Sequence, residues 1–228
     1  MINPIHLYQK QKYLISKLLK NISVSFNKLI YNRNIDFFEI QEFLKWTSEK
    51  ANFHFNSPDI PLNFLPSKID EFQYNLLHQN IKDIVNKYYI HKIRDKNKIY
   101  LLKFSVNIPY SEKLALLNSL VLRRGSVIWV DYGFNIGVEF RGRHPALILK
   151  NTGNSLVVVP LSSTIPKFKQ DYFIIVEQVY NFPLRRGSID LRRITNIDFS
   201  RISYTSYGHV AGNVMDSVNA GIKTLLNL

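Results

Sequence analysis

The sequence predicts an α+β protein: a mainly helical first half, then a small closed β-barrel capped by a terminal helix. Three observations predict this. In the first half, apolar residues recur at helical spacing: Leu14, Ile15, Leu18, Leu19, Ile22, Phe26 and Leu29 form one stripe. From Gly125 onward the pattern changes to short β runs separated by Gly-, Arg- and Asn-containing turns. From about Asn213 the helical spacing returns, with Val214, Met215, Val218, Ile222, Leu225 and Leu226 on one face. Five short strands and a closing helix suit a barrel, because closure removes exposed sheet edges.

Taken in order, the first helix is followed by a second that starts near Asp36. Asp36 is a good N-cap with Glu39 three residues on, and the stripe continues through Phe37, Ile40, Leu44 and Ala51. Residues 57–68 hold three prolines and read as a connector. A third helix is expected from about Asp70 to Tyr89, carrying Leu76, Leu77, Ile81, Ile84, Val85 and Tyr88. Residues 92–104 read as a basic turn followed by a strand, and Ser111 as the cap of a short helix. Strands are expected over Ser126–Val130, Ala146–Lys150, Leu156–Leu161 and Tyr172–Val179, with a fifth near Gly187–Leu191. The boundary between the halves falls between Ser111 and Arg124. Residues 1–110 are therefore expected to form a separable regulatory or interaction domain, and residues 111–228 the barrel. The terminal helix is expected to cover the barrel without help from the first half.

An apolar content of 46% is enough for a packed core. The absence of cysteine excludes disulfide frameworks and thiolate metal sites, and agrees with a cytoplasmic location. No apolar run approaches the ~18 residues of a membrane span, and the first residues show no signal-peptide core. The net charge of +13 favours a polyanionic partner, or an acidic protein. Basic residues are mostly Lys before residue 122 and mostly Arg after it. The planar fork of Arg suits bidentate phosphate contact, which points to the second half for a phosphate site. His6, His54, His78, His91 and His209 show no metal-ligand spacing, so no metal or cofactor is expected. His209, beside Gly208, is a candidate neighbour of any cleft.

Residues 123–164 read RRGSVIWVDYGFNIGVEFRGRHPALILKNTGNSLVVVPLSST. This resembles the opening of the MazF/PemK family of toxin endoribonucleases from type II toxin–antitoxin systems. Residues 125–131 (GSVIWVD) match the first strand, Gly137-Val138-Glu139 the G-x-E loop, and Pro145 the proline of the R-P step. Pro160-Leu161-Ser162-Ser163 match the strand end that carries the catalytic hydroxyl. Asp190-Leu191 with Ile194, and Arg201-Ile202, resemble the late strand and basic segment. The resemblance covers roughly residues 123–228. It implies an SH3-like barrel, a homodimer formed through that barrel, a cognate antitoxin and single-stranded RNA as substrate.

RNA can be cut through its own 2′-hydroxyl if a base takes that proton, an acid protonates the 5′-oxygen and cations stabilise the phosphorane. Arg141, Arg143, His144, Ser162, Ser163 and Asp190 offer this chemistry. By resemblance the catalytic set is His144, Arg143, Ser162 and Asp190, and the RNA-binding set is Arg141, Glu139, Ser163, Arg192 and Arg193. The implied products are a 2′,3′-cyclic phosphate and a 5′-hydroxyl.

One departure stands at position 144. The family places Arg directly before the proline; here it is His144, with Arg143 one step earlier. A strand alternates faces, so both cannot point the same way. Histidine is the better proton-transfer group near neutral pH, whereas arginine is the better permanent cation. Three alternatives stay open for single residues: Ser162 as a turn cap, Asp190 in a structural ion pair, and Trp129 as core. For the whole chain the alternative is a binding module without cleavage, on nucleic acid (DNA included) or on protein. The related CcdB barrels, which poison gyrase by protein contact, are of that kind.

Overall fold

In the computed structural model of the chain, the described residues are 4–30, 37–55, 59–92, 99–102, 107–133, 140–167 and 170–227. They belong to two compact units, Met1–Asn52 and Phe53–Leu228. The first unit holds α1 (Pro4–Ile30) and most of α2 (Phe37–Phe55). Leu14, Leu18 and Ile22 on α1 are exposed. The expected cap at Asp36 lies outside the described residues.

The second unit opens with a 3₁₀ turn at Leu62–Phe64, followed by β1 (Lys68–Ile69), α3 (Glu71–Asn75), α4 (Gln79–Tyr88), β2 (Tyr89–Lys92), β3 (Ile99–Leu102) and α5 (Tyr110–Leu120). The strands form an antiparallel sheet in the order β1-β3-β2. The single helix expected over residues 70–89 is two helices. Asp70 does cap the first, its carboxylate accepting the Gln73 amide at 2.6 Å. His78, in an extended conformation, then starts the second. Ser111 is not a cap: α5 begins one residue earlier, and the Pro109 carbonyl accepts the Lys113 amide at 2.9 Å.

The barrel strands are β4 (Ser126–Asp131), β5 (Arg143–Asn151), β6 (Ser155–Ser162), β7 (Phe173–Val176), β8 (Val179–Tyr180), β9 (Gly187–Asp190), β10 (Thr195–Asp198) and β11 (Ile202–Val210); α6 (Gly212–Leu226) closes the chain. They make a nearly closed antiparallel barrel in the order β7-β9-β6-β5-β4-β11-β8, with β10 paired to the first half of β6. The strand expected over Tyr172–Val179 is two short strands. β10 and β11 were not expected: β11, with sequence ISYTSYGHV, is polar and is bent by an irregularity between Ser203 and Tyr207.

Alternation along the strands sends buried residues to two separate cores. Val127, Leu147, Leu149, Val159, Leu161 and Ile189 pack together with Val214 and Val218 of α6. Ile128, Val130, Ala146, Ile148, Leu156 and Val158 face the other way. There they meet Ile60, Phe64, Leu65, Ile69, Val85, Leu116 and Leu117. The Phe64 ring stands edge-on to Tyr204 and Tyr207 of β11, at 5.1 and 5.2 Å. Lys113, almost buried, is neutralised by Asp59 at 2.9 Å.

The division between compact units therefore falls between Asn52 and Phe53, not near Ser111. The physical reason is that α6 covers only one face of the sheet. Described residues of the segment before the barrel, from Ile60 to Leu122, are needed for the other, and Ile60, Phe64 and Leu65 of the proline-rich connector are part of that cover. Burying one such aliphatic side chain is worth about 1.5–3 kcal/mol. Ile128, Val130, Ile148, Leu156 and Val158 on the second face together represent on the order of 10 kcal/mol, comparable to the whole net stability of a domain. A fragment starting at Phe53 should keep a cooperative thermal transition by circular dichroism. One starting at Ser111 should lose it.

Candidate active site

Antiparallel pairing brings three strand ends together. Ala146 of β5 lies opposite Pro160 of β6, so the start of β5 adjoins the end of β6. Ser162 of β6 in turn lies opposite Ser188 of β9. The 3₁₀ turn Leu191–Arg193 follows β9 directly. A cavity of about 490 Å³ opens over this junction, lined by Arg141, His144, Ser162, Thr164, Ser188, Asp190, Arg192 and Arg193, with Phe140, Pro160, Pro166 and Phe173 as apolar walls.

His144 is half-buried, with the Phe140 ring edge-on at 4.7 Å. Its Nε2 lies 2.8 Å from the Arg141 carbonyl oxygen. A carbonyl only accepts, so Nε2 donates, and in the neutral ring Nδ1 is the basic nitrogen. Arg143 points the other way. Its guanidinium lies over the Trp129 ring at 4.8 Å and donates to the Thr205 hydroxyl. Trp129 is itself partly buried against the barrel core, its indole N–H donating to Ser206 at 3.0 Å.

Ser162 accepts the Thr164 amide at 3.1 Å on Oγ, which leaves its O–H as a donor. The buried Ser188 hydroxyl donates to the Thr164 carbonyl at 2.7 Å and fixes the loop that follows β6. Gly187 makes this packing possible: a Cβ there would come within 2.6 Å of the Ser162 carbonyl oxygen.

Asp190 organises the cations. Its carboxylate receives the Arg192 amide at 3.1 Å, two guanidinium contacts from Arg192 at 2.9 and 2.8 Å, and Arg193 Nε at 3.4 Å. Burial pushes this carboxyl up, but the hydrogen bonds and charge of Arg192, helped by Arg193, outweigh burial and hold it below the ordinary aspartate value. Arg192 also lies over the Tyr172 ring at 4.0 Å, and Arg193 over Phe140 at 4.8 Å.

Of the residues singled out from the sequence, the cleft gathers His144, Ser162, Asp190, Arg141, Arg192 and Arg193. Arg143 is turned away by strand alternation. Ser163 is exposed and is not part of the cleft lining. Glu139 lies outside the described residues. His209 lines a different cavity. Sequence reasoning missed Thr164 and Ser188. The P-L-S-S-T run was a signal for the first; nothing local marks Ser188, which only the pairing of β9 with β6 brings into place.

Residues 123–226 match the family described as the PemK-like, MazF-like toxin of type II toxin–antitoxin systems. This stretch is a PemK/MazF toxin domain. None of the curated proteins matches the chain. Among solved structures the chain is similar to an endoribonuclease in complex with its cognate antitoxin from a mycobacterial species, at 21% identity over 46% of this chain and 94% of that one, with a TM-score of 0.37. It is also similar to MazE-MazF from Deinococcus radiodurans, at 18% identity over 46% and 95%, TM-score 0.37. A third is the Mycobacterium tuberculosis toxin MazF-mt6, at 12% identity over 45% and 96%, TM-score 0.35. The cleft residues all belong to the toxin domain. The described residues that cover the second sheet face, from Ile60 to Leu122, lie before it.

The Asp190 contacts give a pH test. Because the folded carboxyl is held below its ordinary value, its stabilisation is present above the ordinary aspartate range (about 3.9) and is lost as pH falls through the folded value. Asp190→Asn should cost about 1 kcal/mol at neutral pH, the scale of a partly exposed ion pair that also caps a turn. Urea titrations of the two proteins should converge in acid. A gap that persists at the lowest pH would show that the charge is not the source.

Proposed function

We propose that the toxin domain is a metal-independent endoribonuclease that cuts single-stranded RNA by attack of the 2′-hydroxyl on the adjacent phosphate. The observation that supports this most is the convergence of His144, Ser162, Arg141 and Arg193 on one cavity, with Asp190 holding the Arg pair. Each chemical task then has a group from the chain itself. His144 Nδ1 takes the 2′-hydroxyl proton. As the 2′-oxygen bonds to phosphorus, the bond from phosphorus to the 5′-oxygen breaks. The imidazolium returns the proton to the leaving oxygen, so protons balance. The products are a 2′,3′-cyclic phosphate and a 5′-hydroxyl.

Ser162 donates its O–H to a phosphate oxygen, and Arg141 and Arg193 oppose the charge of the phosphorane. Asp190 is a positioning residue: its bonds run to Arg192 and Arg193, which it fixes at the mouth of the cleft. Arg143 has no part in the chemistry, and its role is to pin β5 to β11 through Trp129 and Thr205. Histidine before Pro145 thus shifts that position from a fixed charge to proton transfer. In a type II system the partners are single-stranded RNA, a cognate antitoxin and a second copy of the barrel, and the compartment is the cytoplasm. The description of the matched family supports the antitoxin.

Single-turnover cleavage of a short RNA separates the roles. His144→Ala should slow the chemical step about 10²–10⁴-fold with little change in RNA affinity, the range for a positioned acid or base. Arg143→Ala should change the rate less than about 10-fold and act through stability instead. A His144→Ala protein that cuts at the wild-type rate would overturn the assignment. A wild-type chain that binds RNA without cutting it would favour the binding-module reading, which the missing arginine before Pro145 motivates.

A further inference from the structure

A second cavity, of about 900 Å³, opens at the other end of β4 from His144. Its walls come from the barrel and from the segment that precedes it. Lys68 belongs to β1, Arg123 and Arg124 to the turn before β4, and His209 to β11. Gly212, the first residue of α6, brings the positive end of a 15-residue helix to the same wall.

The charge here is organised and, among the described lining residues, net positive. Lys68 and Arg123 are exposed and have no carboxylate partner among the described residues. Arg124 is held in place, donating from Nη1 to the Leu149 carbonyl at 2.7 Å and from Nη2 to the Asn219 side-chain oxygen. The one acidic side chain among the described lining residues, Asp70, is engaged as the cap of α3, accepting the Gln73 amide at 2.6 Å. Beside these cations the exposed His209 ring stacks on Tyr180, with centroids 5.2 Å apart and planes 19° from parallel. Three cations from two separate elements and a flat, exposed ring pair are the two components of single-strand recognition: a track for phosphates and a platform for bases. An acidic peptide would use the cations and leave the rings without a purpose.

We propose that this cavity binds single-stranded RNA outside the cleavage cleft, with Lys68, Arg123 and Arg124 on backbone phosphates and the His209–Tyr180 pair under a base. The proposal rests on the reading of the barrel as an RNA-cleaving domain. Ser126 lines this cavity, and Val130 pairs with His144. Four strand residues at about 3.3 Å each put the two sites about 13 Å apart along β4, a gap that one RNA strand bridges. Lys68 lies outside residues 123–226, so the site requires the segment that covers the barrel as well as the toxin domain.

The test uses the full chain and two fluorescein-labelled 2′-O-methyl oligonucleotides, which lack the attacking hydroxyl. One has about 20 nucleotides; the other is a dinucleotide, whose single phosphodiester step is too short to reach across a gap of about 13 Å. The double variant Lys68→Ala/Arg123→Ala should bind the long strand roughly 10-fold more weakly at ~0.15 M salt. The slope of log K against log salt should flatten by about 1.4, or 0.7 for each lost single-strand phosphate contact. Affinity for the short strand, and cleavage of a short 2′-hydroxyl RNA, should match wild type. Unchanged affinity for the long strand overturns the proposal, as does an equal loss on both lengths. Both side chains are exposed. Should the double variant nevertheless lose its thermal transition, Lys68→Gln alone gives the same comparison at half the slope change. If wild type cuts no RNA but the length-dependent loss appears, this site stands and the cleavage reading falls. If wild type cuts RNA and the loss is absent, the reverse holds.

Discussion

Val127, Leu147 and Val159 leave the sheet in one direction, and Ile128, Ile148 and Val158 in the other, and neither set can be left facing water. The helix α6 satisfies the first set. The second is satisfied by a segment that precedes the toxin domain, whose Ile60, Phe64, Leu65, Leu116 and Leu117 complete a single core with the strands. The segment before the barrel is therefore structural to it. Whatever else these residues do, they set the pose of β4 and β11. Through β4 they set the pose of β5, whose first residues carry His144.

The site follows from the same alternation. Position 144 faces the cleft because position 143 faces Trp129, and the strand period leaves no other arrangement. The cations depend on Asp190, which sits at the end of a strand and caps the turn bearing Arg192 and Arg193. Two arginines so close together repel each other. One carboxylate between them, mostly shielded from water, fixes both guanidinium groups at the cleft.

How far the sequence revealed this differs from element to element. The strands β4, β5 and β6 were legible because their apolar runs are long and end in recognisable turns. These runs are nearly continuous, not alternating, which is the mark of a sheet buried on both faces. The terminal helix alone cannot cover both faces, so the compact unit that holds the barrel begins at Phe53 and not near residue 110. β11 was hidden because its residues are polar and its pairing with β4 is interrupted between Ser203 and Tyr207. In the site, His144 and Asp190 were legible from their neighbours in the chain. The partition of His144 from Arg143 was legible as an alternative, but only the register of β5 against β4 and β6 decides it. Ser188 was invisible, since its place depends on a strand pairing between residues 26 positions apart, Ser162 and Ser188.

The claim at the centre is that a histidine-based site in the barrel opens a phosphodiester by internal 2′-hydroxyl attack. The most direct measurement is the chemistry of the ends left on a defined single-stranded RNA after digestion by the full chain in excess chelator. The account predicts a 2′,3′-cyclic phosphate on one fragment and a 5′-hydroxyl on the other. Fragments carrying a 5′-phosphate and a 3′-hydroxyl, or cutting that appears only when a divalent cation is restored, would contradict it.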